Sequence, residues 1–125
     1  YMKISSQMSS EAKNALDNSK SLGGKKKNFK YEIINVPGVF EIPVIISKNI
    51  KKYDGFIALG CVIKGETPHF DFISQATTNA IMKLSIDYKK PVGNGIITCL
   101  NQDQAEARSK KGREAAEAVI SVLSK

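Results

Sequence analysis

The hydrophobic positions of this chain alternate between helical and strand-like spacing. Apolar side chains recur at intervals of three and four over residues 5–16, which predicts a helix with one buried face. Residues 56–63 are nearly all apolar, and a run of this length predicts a strand buried on both faces, as in parallel sheets. Residues 31–36 carry β-branched bulk and are a second strand candidate. Residues 92–98 are a third, weakened by two glycines.

Helical spacing also follows each strand candidate. It predicts helices from Glu41 to about Lys51 and from Phe70 to about Tyr88. A last helical region, which continues over residues 114–123, is capped by Asn101 or Asp103. Such alternation predicts one α/β domain over the 125 residues, with right-handed crossovers, a mostly parallel sheet and helices on both faces.

Three loops follow the predicted strands, namely residues 36–41, 60–69 and 98–102. Ligands of open parallel sheets bind beyond the C-terminal ends of the strands, so these loops are the candidate site. Glu41 in the first loop could accept hydrogen bonds from the hydroxyl groups of a polyol, and capping the next helix is its alternative role. Gly65 in the second loop would let the backbone approach a ligand closely.

Three side chains near these loops could carry chemistry. His69 is the only histidine, and its ordinary titration near neutral pH suits proton transfer, although a histidine at a helix start often has no role. Thr67 lies near a helix N-terminus, where free N–H groups favour an anion. Arg108 could bind a phosphate with two hydrogen bonds, but its basic neighbours also fit a solvated helix face. These residues predict a small-anion site and one acid–base candidate, without defining a reaction.

Composition narrows the possible partners. The net charge of +7 favours anionic partners, yet the only tight basic run, residues 25–27, is typical of a solvated loop. Cys61 and Cys99 lie in apolar runs and fit neither a disulfide framework nor a zinc site, so we expect a reducing compartment, the cytoplasm. No apolar stretch is long enough to span a bilayer, and we expect no membrane partner.

Long motifs make the sequence similar to one enzyme family. Residues 36–43 (VPGVFEIP) resemble the ribityl-binding turn of the lumazine synthases, and residues 60–72 (GCVIKGETPHFDF) resemble the most distinctive stretch of that family. Residues 111–118 (KGREAAEA) look like its C-terminal helix. The resemblance extends from about Ile4 to the last residue, and two long motifs in the right order are far more specific than a short pattern.

The resemblance implies a fold, an assembly and a reaction. The fold is flavodoxin-like, with three layers, and the subunits form pentamers, some of which build larger capsids. Active sites lie between neighbouring subunits, and neither a metal nor an organic cofactor is needed. The reaction is that of a transferase of riboflavin biosynthesis: it condenses 5-amino-6-(D-ribitylamino)uracil with 3,4-dihydroxy-2-butanone 4-phosphate to 6,7-dimethyl-8-ribityllumazine, phosphate and water.

The resemblance also implies a role for individual residues. His69 would shuttle protons, Arg108 would pair with the phosphate, and Asn94 would border the pyrimidine site of an adjacent subunit. The other residues implied to contact the substrates are Val39, Phe40 and Glu41 at the ribityl and pyrimidine side, Cys61, Val62 and Ile63 with backbone groups toward the uracil ring, and Glu66 and Thr67 at the phosphate.

The sequence departs from the family pattern in a few places. The family begins with a strand that ends in an aromatic residue, and Tyr1 stands about one place beyond it, so we expect that N-terminal strand to be absent from the given sequence. Asn94 stands where many relatives carry an aromatic residue, and Ala107 stands where many carry a glutamate. The stretch from Arg108 to Gly112 is shorter than usual, which implies a truncated phosphate lid or a missing loop.

Two other functions compete with the synthase. A non-catalytic shell-forming or flavin-binding relative would keep the fold, but the presence of both His69 and Arg108 argues against it. A basic nucleic-acid-binding domain would cluster basic and aromatic residues on one surface. The sequence alone shows no such cluster, and we expect small-molecule substrates and no nucleic acid as partners.

Overall fold

The computed structural model of the chain describes residues 2–18, 29–65 and 69–125, and the side chains of the first helix from Gln7 onward. The predicted alternation of helices and strands is confirmed in these ranges except at residues 31–36, which form no strand. The elements are α1 (Met2–Asp17), a 3-10 turn (Val39–Glu41), α2 (Ile42–Lys48), β1 (Phe56–Ile63), α3 (His69–Tyr88), β2 (Val92–Cys99), α4 (Gln102–Ala107) and α5 (Lys111–Leu123).

The two strands run parallel and pair over their full length. The register runs from Phe56 opposite Val92 to Ile63 opposite Cys99. The backbone of Lys64 continues the ladder, since its N–H donates to the carbonyl of Cys99 at 2.8 Å. Parallel strands need a long crossover connection, and α3 provides it.

Helices cover both faces of this sheet, which confirms the predicted layers. Met8 of α1, Ala105 of α4 and Ile97 of β2 form a core on one face. The core of the other face joins Ala58 of β1 to α2 and α3, and its buried residues are Ile42, Ile46, Ile50, Ala58 and Ile81. None of the helices in the described ranges is both long and apolar enough to cross a membrane.

The helices α1 and α5 lie unusually close together at Gly112. A Cβ atom at this position would stand 2.3 Å from the carbonyl oxygen of Met8, far inside van der Waals contact. Only a residue without a side chain fits there. The chain turns at residues 108–110, and Gly112 lies inside the first turn of α5.

The structure corrects the predictions at two elements. Residues 31–36 form no strand, and Tyr31, Ile33 and Ile34 are exposed. A β-rich sequence becomes a strand only where a neighbouring strand pairs with its backbone, and the described sheet contains β1 and β2 alone. Burial on both faces holds for Ala58 and Gly60, whereas the rest of β1 is half-buried. The lysine run at residues 25–27 lies outside the described residues.

Candidate active site

The candidate site lies at the edge where β1 and β2 end. Ile63 and Cys99 are paired at this edge, so the loops that follow the two strands begin side by side. The loop after β1 leads to His69, and the loop after β2 leads to α4. The topology therefore joins two of the three predicted loops at the carboxyl end of the sheet, where parallel sheets bind ligands.

The third loop reaches the same sheet through Val39. Pro37 and Gly38 form a bend, and the N–H of Glu41 then donates to the carbonyl of Gly38 at 3.2 Å, which closes the 3-10 turn. A Cβ atom on Gly60 would lie 2.7 Å from Cγ2 of Val39, so Val39 packs directly on β1 where no side chain intervenes.

Two side chains of this turn remain available to a ligand. Phe40 is 58% exposed. Glu41 occupies the N-cap position of α2, but its side chain makes no capping hydrogen bond. Its carboxylate lies beside Gly38, since Oε1 is 3.2 Å from the position of a Cβ there. The capping role considered from the sequence is therefore wrong, and the carboxylate can accept hydrogen bonds from outside the turn.

Arg108 reaches the edge of the sheet from the end of α4. Its Nη1 donates to the carbonyl oxygen of Thr98 at 2.9 Å, which places the guanidinium beside the end of β2. No carboxylate of the described residues lies within ion-pair distance of it. The guanidinium is thus an uncompensated positive charge with further N–H groups to offer an anion.

A capping arrangement holds α4, and with it Arg108, in place. Oδ1 of Asn101 accepts from the N–H of Gln104 at 2.9 Å, as one of the two predicted caps. Oε1 of Gln104 accepts in turn from the N–H of Leu100 at 2.9 Å. Sequence reasoning missed Gln104, although its spacing from Asn101 is that of a capping box. The pair fixes the direction in which α4 leaves β2.

His69 is the first residue of α3 and is exposed. It begins the helix that follows β1 and so ends the second of the three candidate loops. Glu66 and Thr67, which the resemblance places at the phosphate, lie outside the described residues. Gly65 is exposed, and a Cβ there would meet nothing within 4 Å, so its lack of a side chain leaves open space at the start of this loop.

The side chains at the end of β1 alternate between the two faces of the sheet. Cys61 and Ile63 pack into the core formed by α1 and α4. Val62 points to the opposite face, the one on which Val39 covers Gly60.

Burial of the Cys61 thiol raises its pKa, and the nearby Cys99 raises it further. The thiol therefore stays protonated near neutral pH.

Asn94 does not join the other residues within one chain. It lies opposite Ala58, and its Oδ1 accepts from the N–H of Ile96 at 3.0 Å. Four residues separate it from Thr98, which corresponds to about 13 Å along a strand. Its side chain is exposed, so a contact with substrate would require the site of another subunit.

The described residues contain no cluster of three metal-binding side chains.

Comparison with known proteins assigns this arrangement to a family. The family model of 6,7-dimethyl-8-ribityllumazine synthase matches residues 1–125. The 6,7-dimethyl-8-ribityllumazine synthase of Polaromonas is 42% identical over 103 residues, which are 80% of this chain and 66% of that protein. The enzyme of the same name from Bartonella bacilliformis is 42% identical over 79% of this chain and 71% of its own length. That of Bartonella tribocorum is 39% identical over 98% of this chain and 82% of its own length.

The chain thus spans about two thirds of the first of these relatives, 66% of its length. The match extends over all three loops that meet at the sheet edge. The chain belongs to the 6,7-dimethyl-8-ribityllumazine synthase family.

Proposed function

We propose that this chain catalyses the condensation of 5-amino-6-(D-ribitylamino)uracil with 3,4-dihydroxy-2-butanone 4-phosphate to 6,7-dimethyl-8-ribityllumazine. Three family motifs meet at one sheet edge, and this observation carries the proposal. They are the turn whose Val39 packs on Gly60, the start of α3 at His69, and Arg108, which donates to the carbonyl of Thr98. The curated relatives are named for this reaction.

The two sides of the site suit the two substrates. Phe40 offers an exposed ring to the flat pyrimidine, and the carboxylate of Glu41 can accept from ribityl hydroxyls. Arg108 supplies an unpaired positive charge for the phosphate of the ketose. We place Glu66 and Thr67 at that phosphate too, on the resemblance of their motif, and Asn94 at the pyrimidine site of a neighbouring subunit.

The reaction proceeds by condensation and elimination. The 5-amino group of the uracil attacks the ketone, and loss of water forms an imine. Phosphate then leaves as a proton is removed from the butanone carbon chain, and the ribitylamino nitrogen closes the second ring on the remaining carbonyl with loss of another water. His69 transfers protons in these steps. Much of the acceleration comes from holding two substrates together, because effective concentrations in a bound pair are very large.

The first test of this proposal targets Arg108. Both substrates are mixed with the protein, product absorbance is followed, and the enzyme-free condensation is subtracted. Arg108→Ala should raise the KM for the ketose phosphate by about tenfold or more, since a charge-assisted hydrogen bond contributes about 1.5–3 kcal/mol. The matched control is Arg113→Ala: Arg113 is the other arginine, and its Nε already pairs with Glu117 at 2.9 Å. An equal effect of the two variants would remove Arg108 from the phosphate site.

The second test targets His69. His69→Ala should lower kcat modestly and leave both KM values near those of the parent, because positioning supplies most of the acceleration. His69→Gln keeps hydrogen-bonding capacity but cannot transfer a proton, and it should lower kcat as much as His69→Ala does. Complete loss of activity in a well-folded His69→Ala variant would contradict this role. No acceleration by the folded parent protein would instead favour the non-catalytic relative.

We further propose that the chain works as a homo-oligomer, a pentamer or larger, with active sites between subunits. The exposed face of α3 carries an apolar stripe that Gln75 and Asn79 interrupt; its members are Phe72 (67% exposed), Met82 (59%) and Ile86 (66%). At 100° per residue these side chains fall within about 80° of one another, on the face opposite buried Thr77 and Ile81. Such a stripe fits contact with another copy of the chain. The test compares the masses of the parent and of Met82→Glu by light scattering. We expect a smaller species for the variant, and an unchanged mass would refute a role of this stripe in assembly.

We also place the protein in the cytoplasm. Cys61 and Cys99 are both free thiols in the structure. Their positions in the core on the α1 side fit small apolar residues rather than cross-links, which suits a reducing compartment.

A further inference from the structure

A groove rich in lysine lies at the opposite end of the sheet from the candidate site. It has a volume of about 540 Å³ and is lined by Ser47, Lys48, Ile50, Lys51, Lys52 and Tyr88. The segment 47–52 precedes β1, and Tyr88 precedes β2, so the groove adjoins the N-terminal ends of the strands. The eight-residue strands separate it from the catalytic edge by about 25 Å.

The positive charge of this lysine groove is largely uncompensated. Its three lysines have exposed side chains, and none forms an ion pair with a carboxylate among the residues that the structure describes. Asp87, the acidic residue nearest to Tyr88 in sequence, is already paired with Lys83 at 3.2 Å. Lys90 adds a further charge, and its Nζ donates to the carbonyl of Ile50, which ties the two sides of the groove together.

The ends of the helices do not account for so much charge. The C-terminal ends of α2 and α3 both adjoin the groove, and each helix end carries about half a negative charge. One lysine at each end, such as Lys48 in the last turn of α2, suffices to balance that charge. Lys51 and Lys52 lie beyond the helix, and Lys89 and Lys90 follow Tyr88, so this surface carries more positive charge than its own backbone needs.

Aromatic rings stand among these lysines. Tyr88 is 48% exposed on the wall of the groove. Nearby, the Nζ of Lys52 lies 5.9 Å from the centre of the Tyr53 ring, and that ring packs edge-on against Phe56 with 5.9 Å between centroids. Tyr88 is the exposed ring among them, and an exposed ring beside lysines is the combination by which proteins bind single-stranded nucleic acids, with a base stacked on the ring and phosphates on the ammonium groups.

We propose that the lysine groove binds single-stranded nucleic acid, with backbone phosphates on Lys48, Lys51 and Lys52 and a base stacked on Tyr88. The binding is independent of sequence, because lysines and an aromatic ring recognise features that every nucleotide shares. This surface provides the basic and aromatic cluster that the sequence alone did not reveal, and the proposal departs from the expectation of no nucleic-acid partner.

The test is fluorescence anisotropy with a labelled oligothymidylate about twenty nucleotides long, titrated with the full chain at several salt concentrations. Three phosphate contacts give a slope of log affinity against log salt of about −2. The variant Lys48→Gln/Lys51→Gln/Lys52→Gln should lose about tenfold or more of the affinity at low salt and most of the slope. The matched control Lys13→Gln/Lys110→Gln/Lys125→Gln removes the same charge elsewhere and should retain the binding of the parent.

A second variant tests the ring. Tyr88→Leu keeps apolar volume but cannot stack, and it should weaken binding about fivefold or more while leaving the salt slope unchanged. Both groove variants should keep the lumazine-forming activity, since the groove lies far from the catalytic edge. The proposal is overturned by the absence of binding at low salt, by equal losses in the two triple variants, or by a Tyr88→Leu variant that binds as the parent does.

Discussion

The contact of Val39 with Gly60 is the point where the first loop is fixed to the sheet, and adding one methyl group there should displace it. In Gly60→Ala the new Cβ would lie 2.7 Å from Cγ2 of Val39, whereas ordinary contact begins at 3.4 Å. The turn must therefore move by about 0.7 Å, the difference of these two distances. Overpacking of this kind costs about 1–3 kcal/mol, and the reduced entropy of the unfolded chain recovers about 0.4–1 kcal/mol of it. We expect a net loss of about 1–2 kcal/mol.

The same displacement should impair binding at the site. The moved turn carries Phe40 and Glu41, which we place against the ribitylaminouracil. A misplacement of about 1 Å can cost a hundredfold in rate, so a shift of this size should lower kcat/KM about tenfold. The KM for the ketose phosphate should change less, because Arg108 is held by β2 and α4 rather than by the turn.

A double-mutant cycle tests the cause directly. Val39→Ala alone removes two methyl groups from a half-buried site and should cost about 1 kcal/mol. In Gly60→Ala/Val39→Ala the clashing Cγ2 is gone, so the double variant should lose about 1–2 kcal/mol less than the sum of the single losses. The free energies of unfolding are measured in urea at one protomer concentration, since assembly contributes to stability. Strictly additive losses would refute the reasoning.

Three further predictions concern packing, ionisation and capping. Gly112→Ala places its Cβ 2.3 Å from a backbone oxygen of Met8 that no rotamer change can move, so we expect a loss of about 3 kcal/mol, and an unchanged urea midpoint would contradict the α1–α5 contact. Burial raises the pKa of the Cys61 thiol above its ordinary value of 9.0. At a pH just above 9.0 the unfolded chain has therefore lost the thiol proton while the folded chain still holds it. Stability should therefore fall as pH rises through 9.0, and Cys61→Ala should flatten that fall; an identical pH profile in the variant would assign it to other groups. Asn101→Ala should cost about 1 kcal/mol and raise the KM for the ketose phosphate through Arg108, whereas Asn101→Asp should preserve both, and a loss of stability with no change in KM would confine the cap to a structural role.

Much of the fold could be predicted because its signals are local. The apolar run from Phe56 to Ile63 predicts β1 by itself, since eight apolar residues in succession are typical of a strand in a parallel sheet. The spacing of Met8, Ala12 and Leu16 likewise marks the buried face of α1, and all three are buried. The positions of the two candidate loops after β1 and β2 follow from the topology, because parallel strands end at one edge.

The failures have non-local causes. Residues 31–36 have strand propensity, but propensity becomes structure only when another strand supplies hydrogen bonds, and nothing within six residues can reveal that partner. The bond from Arg108 to the carbonyl of Thr98 spans ten residues and depends on the angle at which α4 leaves β2. The sequence could therefore identify Arg108 as a candidate from the chemistry of its side chain. The position of its guanidinium beside β2 could be determined only from the folded structure.

Positive charge lies at both ends of the sheet, and the crossover helix α3 acts on it with opposite sign at the two ends. At the carboxyl edge, where we place the ketose phosphate, the dipole at the N-terminus of α3 and the Arg108 side chain act with the same sign on a phosphate. At the opposite edge the C-termini of α2 and α3 repel anions, and the lysines must first outweigh them. Binding at the lysine groove should consequently depend much more steeply on salt concentration than binding of the ketose phosphate does. Salt screens the charges of exposed lysines on long side chains, whereas it screens fixed backbone N–H groups beside a sheet edge less.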